Sequence, residues 1–252
     1  MGDVNARGGP QQIPRPPAWT PGRPPAWGDA ASTELLTAAR VREVFGGRRG
    51  DPSPVAVHGA SPSAVLIPLY ESDGRLWVVL TRRAWDLRTH KGEVSFPGGR
   101  ADPGETYAQT ATREANEEIA LDPSVVDVVG EMDHLTTVTR RAYIVPVVAL
   151  LDGLPAVTPH PGEVDAVLHV PLDELCLPEV FHEEQWGMGP TSRPLYFFDL
   201  VGDTIWGATA SMLRLLLVML LGLHPGEPHE YDAARGLGPW EGIPPGIADD
   251  VV

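Results

Sequence analysis

The chain has 252 residues, 42% hydrophobic and 21% charged, enough to bury a substantial core in one globular domain with tails. Lys and Arg number 19 against 34 Asp and Glu, and the net charge of −15 argues against a duplex nucleic-acid binder, whose phosphates would be repelled. The single cysteine, Cys176, allows no internal disulfide; it suits a reducing cytoplasm and reads as a buried, inert thiol.

Residues 1–31 are dominated by Pro, Gly and Ala and contain a short repeat, Arg15-Pro-Pro-Ala-Trp19 and Arg23-Pro-Pro-Ala-Trp27. They hold no apolar run suited to a signal peptide, and Pro-Pro pairs favour extended polyproline backbone. The segment is expected to be a disordered leader, with the domain running from 32 to 223. Ser32 or Thr33 can cap a helix carrying Leu35, Leu36, Ala39, Val41 and Val44, which Gly46-Gly47 ends. Ala64–Tyr70 and Arg75–Thr81 read as two strands joined by Ser72-Asp73-Gly74.

The stretch from Leu80 to Gly99 concentrates basic side chains in an otherwise acidic chain: Arg82, Arg83, Arg88 and Lys91, with His90 beside them and Arg100 following. Such groups supply charge-assisted hydrogen bonds to phosphate. A loop containing Gly98, Gly99, Pro103 and Gly104 then runs into a segment from about Thr106 that lacks Gly and Pro and is rich in Ala, Glu and Gln, which predicts a helix. On that helix Glu114, Glu117 and Glu118 fall within an arc of roughly 100°. Ala108, Ala111, Ala115 and Ile119 form a neighbouring stripe of mostly small side chains that allows close packing. Clustered carboxylates raise one another's pKa, and a hard divalent cation such as Mg²⁺ or Mn²⁺ removes that penalty. Arg113 stands four residues before Glu117 and eight after Glu105, placed to hold the acids.

Val125–Leu135 and Ala142–Leu151 read as further strands, and Pro146 within the second suggests an edge or a bulge. Glu163–Leu175 continues as a strand followed by a short helix near Asp173, and 193–206 as a hairpin turning at Gly202-Asp203. His182-Glu183-Glu184 lacks the second histidine of a zinc motif, and His160 and His169 read as structural. Ser211–Leu223 is apolar but too short to span a bilayer, so it reads as a core helix; 224–252 returns to Pro, Gly and acid as a tail.

Gly99, Glu105, Arg113, Glu114, Glu117, Glu118 and Leu121 occupy the spacing of the Nudix box, Gly-x5-Glu-x7-Arg-Glu-U-x-Glu-Glu-x-Gly-U with U bulky and apolar, and the chain resembles that family. Ala115 and Ala120 depart from it, at a U position and at the closing Gly. Leu80, Thr81, Arg83, Leu87, Arg88, His90, Gly92, Val94, Phe96, Pro97, Gly98 and Gly99 further resemble the extended signature of its coenzyme A pyrophosphatase branch, with Ala84 where Ser is usual.

The resemblance implies an α/β fold, the Nudix α/β/α sandwich around a mixed sheet, and hydrolysis of the pyrophosphate of coenzyme A or acyl-coenzyme A. It implies Mg²⁺ or Mn²⁺ held by Glu114, Glu117 and Glu118, with Glu105 and Arg113 orienting them. Arg83, Arg88, His90, Gly98 and Gly99 are then the substrate contacts, and Glu117 or Glu163 the base. Two readings compete: a Nudix pyrophosphatase for ADP-ribose, NADH or nucleoside triphosphates, and a catalytically silent nucleotide sensor, against which the intact acid set argues. Expected partners are a nucleotide small molecule, no nucleic acid and no membrane, with a homodimer left open.

Overall fold

The computed structural model describes residues 6–28, 32–53, 61–137, 142–188 and 192–223. After a short strand β1 (Trp19–Pro21) and helix α1 (Ala38–Phe45), strands β2 (Ser61–Ser72) and β3 (Arg75–Arg83) form the expected hairpin. Asp73 and Gly74 take φ of 51° and 71° in its turn, the positive values a two-residue hairpin requires. Short strands β4 (Val94–Ser95) and β5 (Gly98–Arg100) lead into helix α2 (Tyr107–Ile119). Strands β6 (Val126–Glu131), β7 (Leu135–Thr136), β8 (Ala142–Leu151) and β9 (Val164–Pro171) complete the first sheet. Strands β10 (Phe181–Trp186), β11 (Arg193–Asp199) and β12 (Thr204–Trp206) belong to a second, and α3 (Gly207–Leu220) follows.

The first sheet follows the path β4-β3-β2-β8-β6, with β9 added to β3, β5 to β2 and β7 to β8. Only β2 and β8 run parallel; the other pairs are antiparallel, so the sheet is mixed. Strand alternation sends Leu66, Tyr70 and Val147 to the face covered by α2, through Ala111, Ala115 and Ile119. Ile67, Leu69, Val78 and Leu80 point to the opposite face, where α1 and α3 pack. This is the expected α/β/α sandwich. Ala111 and Ala115 are fully buried, and their small size lets α2 lie directly on the sheet.

Three local expectations change. Thr37, not Ser32 or Thr33, caps the first helix by accepting from the Arg40 amide at 3.1 Å, and Thr33–Leu35 forms a separate 3-10 turn. Pro146 lies in the interior of the sheet, between β2 on one side and the β6–β7 edge on the other. It stands opposite the break between β6 and β7, where its carbonyl accepts from the Met132 amide at 3.0 Å and no ladder donor is needed from it.

The third concerns the Pro-rich leader, which packs on the domain over residues 6–28. β1 pairs with β10 at the edge of the second sheet, β1-β10-β11-β12, a position where Pro21 removes no needed ladder bond. Trp27 is 6% exposed, lies edge-on to Phe181 at 4.9 Å between ring centroids, and donates its indole N–H to the Cys176 carbonyl at 3.2 Å. Its repeat counterpart Trp19 stays 41% exposed beneath the Arg15 guanidinium. Composition misleads here because such a segment has no core of its own yet fills grooves of the domain with its few large side chains. The expected tail at 224–252 lies outside the described residues. Cys176 is buried, and burial, with Asp173 nearby, pushes its thiol up to about 12, as an inert cysteine requires. Among the described residues no helix is long and apolar enough to cross a membrane.

Candidate active site

The start of α2 is fixed by a reciprocal cap. Thr106 Oγ1 accepts from the Gln109 amide at 3.3 Å, and Gln109 Oε1 accepts from the Thr106 amide at 2.8 Å. With the first turn held, the helical period places Ala111, Ala115 and Ile119 on the sheet, Glu118 and Glu114 at its margin, and Glu117 outward. Their exposures follow: Glu118 is 6% exposed, while the side chains of Glu114 and Glu117 are at 17% and 57%. Ala120 closes the helix at φ 53°, ψ 29°, the left-handed conformation for which glycine is favoured.

Arg113 is the hub of the acids. Its Nε and Nη2 donate to both oxygens of Glu105 at 2.8 and 3.1 Å, and Nη1 donates to Glu114 and Glu117, each at 3.0 Å. Nη2 also reaches the Arg100 carbonyl at 3.1 Å, tying α2 to β5. Glu105 accepts in addition from the Asp102 amide at 3.0 Å and the Thr110 hydroxyl at 2.9 Å. Hydrogen bonds from Arg113 and the Asp102 amide hold its carboxyl down to about 2, so Glu105 is a fixed anion that orients Arg113. Thr110 carries no motif of its own; its place one helical turn and a half after Glu105 is the sole signal that would have found it.

Glu118 sits where α2 meets β5 and β3. Burial pushes its carboxyl up to about 7, against the Gly98 amide, which donates at 3.3 Å, and the charge of Arg83; Glu114 and Glu163 raise it further. Glu114 is likewise raised, first by burial, with Arg113 opposing and Glu117 and Glu163 adding to the shift. The electrostatics therefore join Glu114, Glu118, Glu163 and Arg83 in one centre. A Cβ on Gly98 would come 2.5 Å from the Ala64 carbonyl, so that glycine lets β5 lie against β2, and one on Gly99 would come 2.5 Å from the Glu114 carboxyl carbon and displace that side chain. Glu163 is solvent-exposed just before β9, and its carbonyl accepts from the Ala84 amide at 2.9 Å. Arg83 Nε is buried with no hydrogen-bond partner among the described residues.

Arg88 and His90 lie on the loop that follows β3. The loop 84–93 leaves the end of β3 and turns toward the N-terminal segment, where a cleft of about 530 Å³ is lined by Gln12, Ile13, Pro14, Trp85, Arg88 and His90, among others. His90 takes φ 56° and pairs through Nδ1 with Glu93 at 3.1 Å. Arg82, next to Arg83, is spent on Asp165 and Asp203.

Among the described residues no three acidic, His or Cys side chains converge in a geometry that would hold a metal ion. Glu114 and Glu117 turn to Arg113, and Glu118 turns to the Gly98 amide. The donor set nonetheless fits a hard divalent cation: carboxylates from α2 are crowded, partly desolvated and mutually repelling, a combination that a cation bound to oxygen relieves.

The sandwich, the glycine approach at β5 and the acidic face of α2 define a Nudix domain, and the NUDIX domain profile matches residues 60–191; the chain belongs to the Nudix family. It is 43% identical over 159 residues to the chloroplastic Nudix hydrolase 22 of Arabidopsis thaliana, covering 60% of this chain and 52% of that protein. It is 45% identical over 121 residues to Nudix hydrolase 3 of Caenorhabditis elegans, covering 46% and 49%. It is 33% identical over 178 residues to the peroxisomal coenzyme A diphosphatase NUDT7 of Mus musculus, covering 67% and 74%. The chain spans about half the length of the first two relatives.

Proposed function

We propose that the chain is a divalent-metal-dependent pyrophosphatase acting on coenzyme A or acyl-coenzyme A, giving adenosine 3′,5′-bisphosphate and 4′-phosphopantetheine or its acyl form. The observation that carries the reading is the continuity of two unlike sites. Arg83 acts on Glu118, Ala84 is bonded to Glu163, and the same strand end then projects the loop bearing Arg88 and Lys91. An acidic hydrolytic centre and a cationic loop for a highly anionic substrate thereby share one base. The name of the mouse relative, a coenzyme A diphosphatase, points the same way.

Glu114, Glu117 and Glu118 would hold Mg²⁺ or Mn²⁺, which when bound polarises phosphate and lowers the pKa of water. Arg113, locked by Glu105, orients Glu114 and Glu117. Arg83, whose charge acts on Glu118, would supply a guanidinium beside the centre for a phosphate oxygen. Glu163 is the favoured base: its charge acts on Glu114 and Glu118 and it is open to solvent, so a carboxylate oxygen can take the proton of an attacking water. Glu117, engaged by Arg113, is less free for that role.

The test is a screen of coenzyme A, acyl-coenzyme A, ADP-ribose, NADH and dinucleoside polyphosphates with Mg²⁺ or Mn²⁺, products identified by mass. Coenzyme A derivatives are expected to give the highest kcat/KM and the two named products. A preference for ADP-ribose or NADH would replace the substrate, and binding without turnover would make the domain a nucleotide sensor.

A further inference from the structure

We propose that the N-terminal segment is part of the substrate site: Gln12, Ile13 and Pro14 form the second wall of the cleft opposite Arg88 and Lys91, and this cleft seats the phosphate-bearing nucleoside end of the substrate. The inference rests on the pyrophosphatase reading and extends it to a stretch lying wholly before the matched domain at 60–191.

The wall is built, not incidental. Gln11 is 8% exposed, and its amide is fully used: Nε2 donates to the Gly92 carbonyl at 3.0 Å and to Asp203 Oδ1 at 2.8 Å, while Oε1 accepts from the Thr204 amide at 2.9 Å. A buried glutamine with all these bonds made is a costly group to lose. It latches the segment to the loop that carries Arg88 and Lys91. Asp203, 4% exposed, also accepts from Arg82 at 2.9 Å, so the latch is continuous with the strand end that bears Arg83. Farther along, Arg15 Nε donates to Glu184 at 2.8 Å and holds the next turn of the segment against the second sheet.

The chemistry of the cleft matches an anionic ligand with a flat ring. Arg88 and Lys91 are exposed and line it in a chain of net charge −15. Glu93, the acid in the lining, is engaged by His90. Trp85 is 39% exposed at the rim, and its ring lies so close over Gly92 that a Cβ there would come 2.3 Å from it. Gly92 therefore supports an indole whose other side is open to a base, while the two cations take phosphate.

The test alters charge on the wall alone. Gln12 is exposed, so Gln12→Glu and Gln12→Lys leave the latch and the acidic centre in place. Adenosine 3′,5′-bisphosphate and AMP are titrated calorimetrically into wild type and both variants, with melting temperatures as the folding control. At low ionic strength Gln12→Glu is expected to weaken the bisphosphate roughly three- to tenfold and Gln12→Lys to tighten it, both effects smaller for AMP and fading at high salt. Unchanged affinity in both variants, or no binding of the bisphosphate to wild type, would overturn the proposal. Wild-type turnover of coenzyme A is measured in parallel: if it persists, only the wall is lost; if it is missing, the substrate reading fails.

Discussion

Ala120→Gly tests how the end of α2 is held. Ala120 lies at φ 53°, where an L side chain pays roughly 1–2 kcal/mol, and its methyl is exposed, so removing it forfeits little buried area. Both closing bonds, from the Ala120 amide to Asn116 at 2.8 Å and from the Leu121 amide to Ala115 at 3.4 Å, are backbone and survive the change. Against the relieved strain stands the greater freedom of glycine in the unfolded chain, about 0.4–1 kcal/mol. The net expectation is a gain of about 0.5–1 kcal/mol, or a rise of roughly 1–4 °C in melting temperature for a domain of this size. Scanning calorimetry reads it, with the rate on coenzyme A expected to stay within a few-fold because Ala120 touches none of the acids. An unchanged or lower melting temperature would refute the strain argument, and a rate increase of orders of magnitude would mean that the helix end holds the centre out of position.

Three further outcomes follow from the packing and the charges. Trp27→Ala is expected to cost about 3–5 kcal/mol, whereas Trp19→Ala stays within about 1 kcal/mol, as denaturant titration would read; equal effects would contradict the docking of the segment. In chelated protein, Glu118 contributes stability fully below its ordinary carboxylate pKa and loses it as pH rises through about 7, with Glu114 shifted in the same sense and the lowered His169 opposing. Melting temperature should therefore fall between pH 5.5 and 8, on the order of 2–3 kcal/mol from Glu118, and flatten in Glu118→Gln; a flat wild-type profile would remove the buried carboxyl from the account. Arg88→Ala should lower kcat/KM for coenzyme A roughly ten- to a hundredfold, and more than for ADP-ribose, while an unchanged ratio would show that Arg88 only braces its loop.

The acid face of α2 was legible because helix periodicity puts Glu114, Glu117 and Glu118 within one arc, and the spacing of Arg113 from Glu105 and Glu117 marked it as the residue placed to hold them. The β2–β3 hairpin was legible from the Asp73-Gly74 turn. What escaped depends on partners far along the chain. Trp27 is buried by Phe181 and Cys176, and Gln11 is held by Gly92, Asp203 and Thr204; neither has a local pattern that reveals this. Pro146 was misread for the same reason, since the break that tolerates it lies in the neighbouring strand. Arg88 and His90 were legible as candidate substrate contacts, but the cleft they share with Ile13 was not, because its other lining residues come from the distant N-terminal segment.

Glu118→Gln at limiting Mg²⁺ decides whether the carboxylates of α2 carry out a metal-dependent hydrolysis of coenzyme A. The substitution keeps the shape of the side chain and its acceptor for the Gly98 amide but removes the negative oxygen that a cation needs. The expected result is a folded protein with loss of turnover on coenzyme A and weakened Mg²⁺ binding by calorimetry. A near-wild-type rate at limiting Mg²⁺ would contradict it.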